Sequence, residues 1–142
     1  YRKICQQFNV QELCYDGWNA EKVTQEISEG VRDLNGTQTE PAMGVKRFEF
    51  NQSLKNMNEP TKDYERRMIE GKVIHNGDPL TTWQHGNAVV LNDVNNNYKP
   101  QKPKHGSIKK IDGVITGLMV DARITASGAG GSIYETRGIR TL

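Results

Sequence analysis

The chain has 142 residues, enough for one domain with a real core, and its formal net charge of +2 points to no partner class by itself. Hydrophobic residues make up 35% and the mean hydropathy is −0.74, yet the apolar positions recur at helix and strand spacings, which excludes wholesale disorder. Apolar stretches fall far short of the ~20 residues that cross a bilayer, and no charged-then-apolar signal segment opens the chain, so a soluble, cytosolic protein with no membrane partner is expected.

Cys5 and Cys14 have no Cys or His at metal-ligand spacing and are expected to be buried thiols of a reducing compartment. Residues 10–16 predict a short strand ending in Asp16. Gly17 follows at once, then a helix with apolar positions Ala20, Val23, Ile27, Val31 and Leu34, capped by Asp16 or Asn19 and closed near Gly36. Residues 45–50 read as a second strand. Leu54, Met57, Tyr64 and Met68 repeat at helical spacing across Pro60, which predicts a short turn or helix before the proline and a firmer helix over 61–70, ended by Gly71. Asp78-Pro79 marks a further helix start, residues 88–91 a strand, and the Asn-rich 93–97 a hairpin tip. Residues 98–104, with Pro100 and Pro103, read as extended or loop.

The clearest amphipathic pattern comes next. At 3.6 residues per turn, Ile108, Ile111, Ile115, Leu118, Met119 and Ala122 share one arc, and Asp112 falls inside it, while Lys109, Lys110 and Asp121 lie off it. A carboxylate on a buried face needs a cationic neighbour or a metal ion, and both readings stand. Residues 127–132 are Gly/Ser-rich and read as a flexible linker, followed by a tail with Arg137 and Arg140 that is mobile or partner-bound. The domain is therefore drawn over 1–126 and the linker and tail over 127–142.

Alternating strands and helices predict an α/β domain with a sheet flanked by helices, whose site lies at the carboxyl ends of strands. Asp16 occupies such a position, although a plain turn or helix cap would also place it there. One carboxylate at a strand end and one on a helix suit a magnesium-dependent phosphodiesterase, since hard cations take oxygen ligands and leave positions for water and phosphate. Two ions about 4 Å apart would stabilise the attacking and leaving oxygens of an in-line displacement. Lys99, Lys102, Lys104, His105, Lys109 and Lys110 fall together with no carboxylate among residues 94–111, as a polyanion contact or a solvated lysine-rich loop would require. His75 could reach the metal shell or simply pack. Asn87 could brace a carboxylate or cap a helix. Trp83 with Leu80 is expected in the core, and His85 and His105 at the surface.

The blocks Cys-Tyr-Asp-Gly-Trp-Asn-Ala (14–20), Ile-Glu-Gly-Lys-Val-Ile-His-Asn-Gly-Asp-Pro (69–79), Trp-Gln-His-Gly-Asn-Ala-Val (83–89), Lys-Lys-Ile-Asp-Gly (109–113) and Ser-Ile-Tyr-Glu-Thr-Arg-Gly-Ile-Arg (132–140) span nearly the whole chain. In that order they resemble the large terminase subunit of tailed bacteriophages. The resemblance implies its C-terminal nuclease domain, with a ribonuclease-H-like α/β fold and an acidic cluster that binds Mg2+ or Mn2+ and cuts concatemeric double-stranded viral DNA. Asp16 and Asp112 match two of the family's metal-binding, catalytic positions. His75 and Asn87 become candidates for the surrounding shell, and Lys99, Lys102, Lys104, Lys109 and Lys110 for DNA contacts. The family more often has proline at the position of Gly17, and more alanine after its last aspartate than residues 114–120 supply.

The family's first acidic ligand and its ATPase domain lie upstream of the position of Tyr1. The expectation is a sheet and a metal site incomplete at the N-terminus, with little cleavage by the chain alone. The implied partners are the terminase ATPase domain, the small terminase subunit, the portal protein and an HNH endonuclease, and the implied compartment is the host cytoplasm. A competing reading is a noncatalytic DNA-grip or portal-docking module. Another ribonuclease-H-like enzyme, such as a resolvase or integrase, fits the block at 83–89 and the C-terminal block less well.

Overall fold

Two short parallel strands hold the first part of the computed structural model, which describes residues 1–128. The described residues separate into two units, 1–52 and a second beginning at Ser53. In the first, helix α1 (Arg2–Gln7) precedes strand β1 (Glu12–Tyr15), helix α2 (Gly17–Glu29), the hairpin strands β2 (Val31–Arg32) and β3 (Gln38–Glu40), and strand β4 (Lys46–Glu49). β1 pairs with β4 in register Cys14 to Phe48 and Tyr15 to Glu49, and the Phe50 N–H donates to the Tyr15 carbonyl at 2.7 Å. The parallel pair and its α2 crossover form a βαβ unit.

α2 ends earlier than its apolar spacing predicts. Gly30 takes a φ of 82°, and a Cβ there would stand 2.5 Å from the Glu40 carbonyl, so a left-handed, tightly packed glycine stops the helix. Val31 therefore enters β2, and Leu34 sits fully exposed in a turn. In that turn the Asp33 carboxylate accepts from the Asn35 and Thr37 N–H groups, with Gly36 left-handed. The predicted hairpin tip at 93–97 is built identically: Asp93 accepts from the Asn95 and Asn97 N–H groups, and Asn96 takes the left-handed place. Cys5 and Cys14 are half-buried rather than buried.

An ion network ties α2 to both strands. Arg47 lies 2.9 Å from Glu21 and 3.6 Å from Glu29, and the Tyr15 hydroxyl donates to Glu21 at 2.5 Å. The Tyr15 bond and then Arg47 hold the Glu21 carboxyl below its usual range, while the same bond raises the Tyr15 phenol.

In the second unit, helix α3 (Leu54–Ile69) is followed by helix α4 (Pro79–Asn87), the antiparallel hairpin of β5 (Val89–Asn92) and β6 (Tyr98–Gln101), and helix α5 (Asp112–Ala126). α3 runs unbroken through Pro60. The proline removes one ladder N–H, but Met57, Thr61 and Tyr64 are buried along one side, and packing keeps the turn helical. Asn58, Lys62 and Glu65, spaced four and three residues apart, hold Tyr98 instead. Asn58 Oδ1 accepts from the Tyr98 N–H at 3.0 Å, Lys62 Nζ lies 5.7 Å from the ring centroid, and the hydroxyl donates to Glu65 at 2.6 Å. Arg67 joins α3 to α5, its Nε 3.3 Å from Asp121 without hydrogen-bond alignment and its Nη1 donating to Thr125.

α5 starts at Asp112, so Ile108 lies outside it and is 90% exposed, and Asp112 itself is exposed rather than on a buried face. The core face is carried by Val114, Leu118 and Met119, with Ile111 buried just before the helix. Trp83 and Leu80 are exposed, whereas His85 is half-buried, its Nδ1 2.8 Å from the Thr81 carbonyl. The α/β class holds. The tail at 129–142 lies outside the described residues.

Leu118 is 1% exposed, so Leu118→Ala should cost about 3 kcal/mol in denaturant unfolding. Because the Glu21 carboxyl is lowered on folding, its contribution is present above the ordinary carboxylate value of 4.5 and is lost as pH falls through the folded value. Glu21→Gln should flatten the acid limb of stability in the first unit, as read from its amide signals across a pH series.

Candidate metal-ligand and DNA-contact positions

Asp16 closes β1 and opens α2. Its half-buried carboxylate accepts from the Trp18 N–H at 3.2 Å, so it does act as a cap, and Trp18 and Asn19 leave helical geometry immediately after it, Asn19 at φ 64°. That break turns the Trp18 side chain outward, 83% exposed. Parallel pairing brings a second carboxylate to the same strand ends, from Glu49 opposite Tyr15. Its side chain lies over Gly17, where an added Cβ would meet Oε1 at 2.2 Å. Glycine at this position leaves that space open. Glu49 was missed by the sequence reading; its signal is an acidic residue ending the strand pattern Phe48-Glu49-Phe50.

Asp112 is the first residue of α5. Its carbonyl accepts from the Thr116 hydroxyl at 2.8 Å, and among the described residues no hydrogen bond engages its carboxylate. The N-cap is Ile111, which has no side-chain acceptor. The helix entrance is held from α4: Gln84 Oε1 accepts from the Gly113 N–H, and Asn87, 4% exposed, donates from Nδ2 to the Lys110 carbonyl at 3.0 Å. Asn87 thus braces the backbone leading to Asp112, and Gln84 is a partner that the sequence reading did not single out. The signal was its three-residue spacing from Asn87 on a helix.

His75 is exposed, and its Nδ1 accepts from the Gly77 N–H at 3.0 Å, a local turn bond. The nearby Asp78 caps α4 by accepting from the Thr81 N–H at 2.7 Å, which holds its carboxyl low. Of the basic segment, Lys104, His105, Lys109 and Lys110 are exposed, and Lys99 and Lys102 half-buried. On β6, Lys99 and Gln101 alternate with Tyr98 and the buried Pro100, the residues that face the packed side.

A cavity of about 240 Å³ also opens in the second unit, lined by Tyr64, Met68, His85, Val90, Pro100 and Leu118 among others. The Tyr64 hydroxyl is 3.4 Å from His85 Nε2, and burial and then Asp121 raise its phenol. Glu65 is the sole carboxylate in this apolar lining, which does not suit a hard cation.

Carboxylate oxygens at a strand end and a helix start suit Mg2+ or Mn2+, although no group of three or more His, Cys, Asp or Glu residues forms among the described residues. Asp16 belongs to the first unit and Asp112 to the second, and each stands as a single carboxylate that forms no ligand set within its own unit. The family described as terminase large subunit, endonuclease domain, matches residues 2–127, and the chain belongs to it. It is similar to Protein YmfN of Escherichia coli (strain K12), 30% identical over 94 residues that cover 64% of this chain and 21% of that protein. The crystal structure of the HK97 bacteriophage large terminase matches with a TM-score of 0.61 at 27% identity, over 85% of this chain and 23% of that one. The chain spans less than a quarter of either relative. The match to a large terminase carries the ribonuclease-H-like class expected from the sequence.

Proposed function

We propose that the chain supplies the DNA-cutting function of a viral packaging terminase, as a Mg2+- or Mn2+-dependent endonuclease acting on concatemeric double-stranded DNA. The family match over residues 2–127 supports the nuclease reading. The observation that carries the metal reading is the exposed carboxylate of Asp112, which no hydrogen bond engages among the described residues. Asp16 is the other proposed ligand and catalytic position. A bound pair of ions would activate water and stabilise charge on the scissile phosphate. Lys99, Lys102, Lys104, Lys109 and Lys110 neutralise backbone phosphates, since the segment leading into Asp112 is basic and largely exposed. His75 and Asn87 belong to the surrounding shell, and the α4 position of Asn87 favours a role through the backbone before Asp112.

The partners in this reading are the terminase ATPase domain, the small terminase subunit, the portal protein and an HNH endonuclease, in the host cytoplasm. Among the described residues no helix is long and apolar enough to cross a membrane. Calorimetric titration with Mn2+ should show binding that is lost in Asp112→Ala and weakened in Asp16→Ala, with any Mn2+-dependent plasmid cleavage abolished by Asp112→Asn. DNA affinity that falls only with lysine substitution and salt, in a chain that binds no Mn2+, would instead establish the noncatalytic DNA-grip or portal-docking module, which the exposed lysines also support.

A further inference from the structure

The β5–β6 hairpin does not set its own facing. A two-stranded hairpin is marginal by itself, and because side chains alternate along a strand, a one-residue slip exchanges its two faces. β5 supplies no preference, since all four of its residues are exposed. The choice is made on β6, where Pro100 is buried and Tyr98 is gripped at three points by α3. Asn58 Oδ1 accepts from the Tyr98 N–H at 3.0 Å, Lys62 Nζ lies 5.7 Å from the ring centroid, and the Tyr98 hydroxyl donates to Glu65 at 2.6 Å. Asn58 is itself fixed: it is 7% exposed, and its Nδ2 donates to Glu59 Oε1 at 2.9 Å, which leaves its oxygen for β6. Lys99 stands between the two inward residues and so belongs to the opposite face, with Lys102 and Lys104 following it in the chain. Asp93, the one acid of residues 89–110, is bound into the turn by the Asn95 and Asn97 N–H groups.

We infer that Asn58 and Tyr98 are positioning residues for DNA, which lock the hairpin with its Lys99 face outward so that Lys99, Lys102 and Lys104 meet one phosphate backbone as a set; this rests on the DNA-contact reading above and needs no metal ion. Neither Asn58 nor Tyr98 touches the phosphates. They act through the lysines, because contacts to phosphate fix a protein on the duplex only where the cations keep a constant spacing. Lysines carried on a clasped strand also reach the backbone without first losing the freedom of a swinging hairpin.

The test is binding of a short fluorescent DNA duplex to the chain, read by anisotropy in EDTA over a range of KCl concentrations, with Lys99→Gln, Tyr98→Phe, Asn58→Ala and the Lys99→Gln/Asn58→Ala double variant. Lys99→Gln should weaken binding and reduce the salt slope by about one. Asn58→Ala should weaken it severalfold and reduce the slope although it removes no charge, and Lys99→Gln should then cost less in the Asn58→Ala background than in wild type. Tyr98→Phe keeps the ring and the Asn58 bond and loses only the bond to Glu65, so it should hold the wild-type amide spectrum, shift the slope in the same direction, and decide the matter should Asn58→Ala unfold. Wild-type affinity and slope in Tyr98→Phe and Asn58→Ala, or strictly additive losses in the double variant, overturn the positioning role alone. A wild-type chain that binds no DNA, or binds it indifferently to Lys99→Gln, overturns the DNA-contact reading and this inference with it.

Discussion

Each helix must find acceptors for its first backbone N–H groups, and the way this chain meets that demand arranges its candidate chemistry. α2, α3 and α4 are capped locally, by Asp16, Ser53 and Asp78. α5 is not, because Ile111 is buried as a core residue and carries no acceptor. Its cap is supplied by Gln84, which makes the α4–α5 contact both a packing interface and a condition for the helix starting where it does. Burying Ile111 and starting the helix at Asp112 are two sides of one choice. The isoleucine goes inward and the next residue, at the first helical position, goes out to solvent.

The same choice explains where the sequence was misleading. Ile108, Ile111 and Ile115 continue a 3.6-residue rhythm backward across the helix start, so periodicity alone places Asp112 inside an apolar arc. Periodicity cannot tell a helical turn from a loop that returns an isoleucine to the core. The Gln84 bond that sets the start is a contact over 29 residues, invisible to local pattern. The α2 boundary failed for a related reason: Val31 and Leu34 keep helical spacing, but Gly30 must pack against the Glu40 carbonyl, which only the hairpin reveals. Features decided within a few residues were legible, including the strand ending at Asp16, the Asp78 cap and the Asn-rich turn at 93–97. Pro60 shows the limit from the other side, since a strong local breaker gave way to burial of Met57 and Tyr64.

Of the candidate site, residue types were legible and environments were not. Asp16 lay where strand-turn-helix logic put it, whereas Glu49 emerged only from the parallel register that sets it opposite Tyr15. At Gly17 an added Cβ would fall on the Glu49 carboxylate where it lies, so a larger residue there requires that exposed side chain to turn away. Asn87 was visible as an amide of uncertain role, and its partner, the Lys110 carbonyl, could come only from tertiary structure.

An exposed Asp112 changes the argument for metal binding more than it weakens it. A buried carboxylate would have been explained by any nearby cation, and its desolvation would have opposed the charged form that a hard metal requires. At an exposed helix start, the carboxylate keeps its hydration until an ion replaces it, while the positive helix end favours a phosphate and opposes the cation itself. The preceding basic stretch carries no acid from residue 94 to Ile111. A phosphate backbone drawn to those lysines would arrive beside Asp112 without another carboxylate in that stretch repelling it, and a divalent cation at Asp112 would offset the repulsion between that carboxylate and the phosphate. In the proposed reading, attraction of the polyanion and retention of the cation would fall to adjacent segments, with the Lys110 carbonyl held by Asn87 and the Gly113 N–H by Gln84 on either side of Asp112.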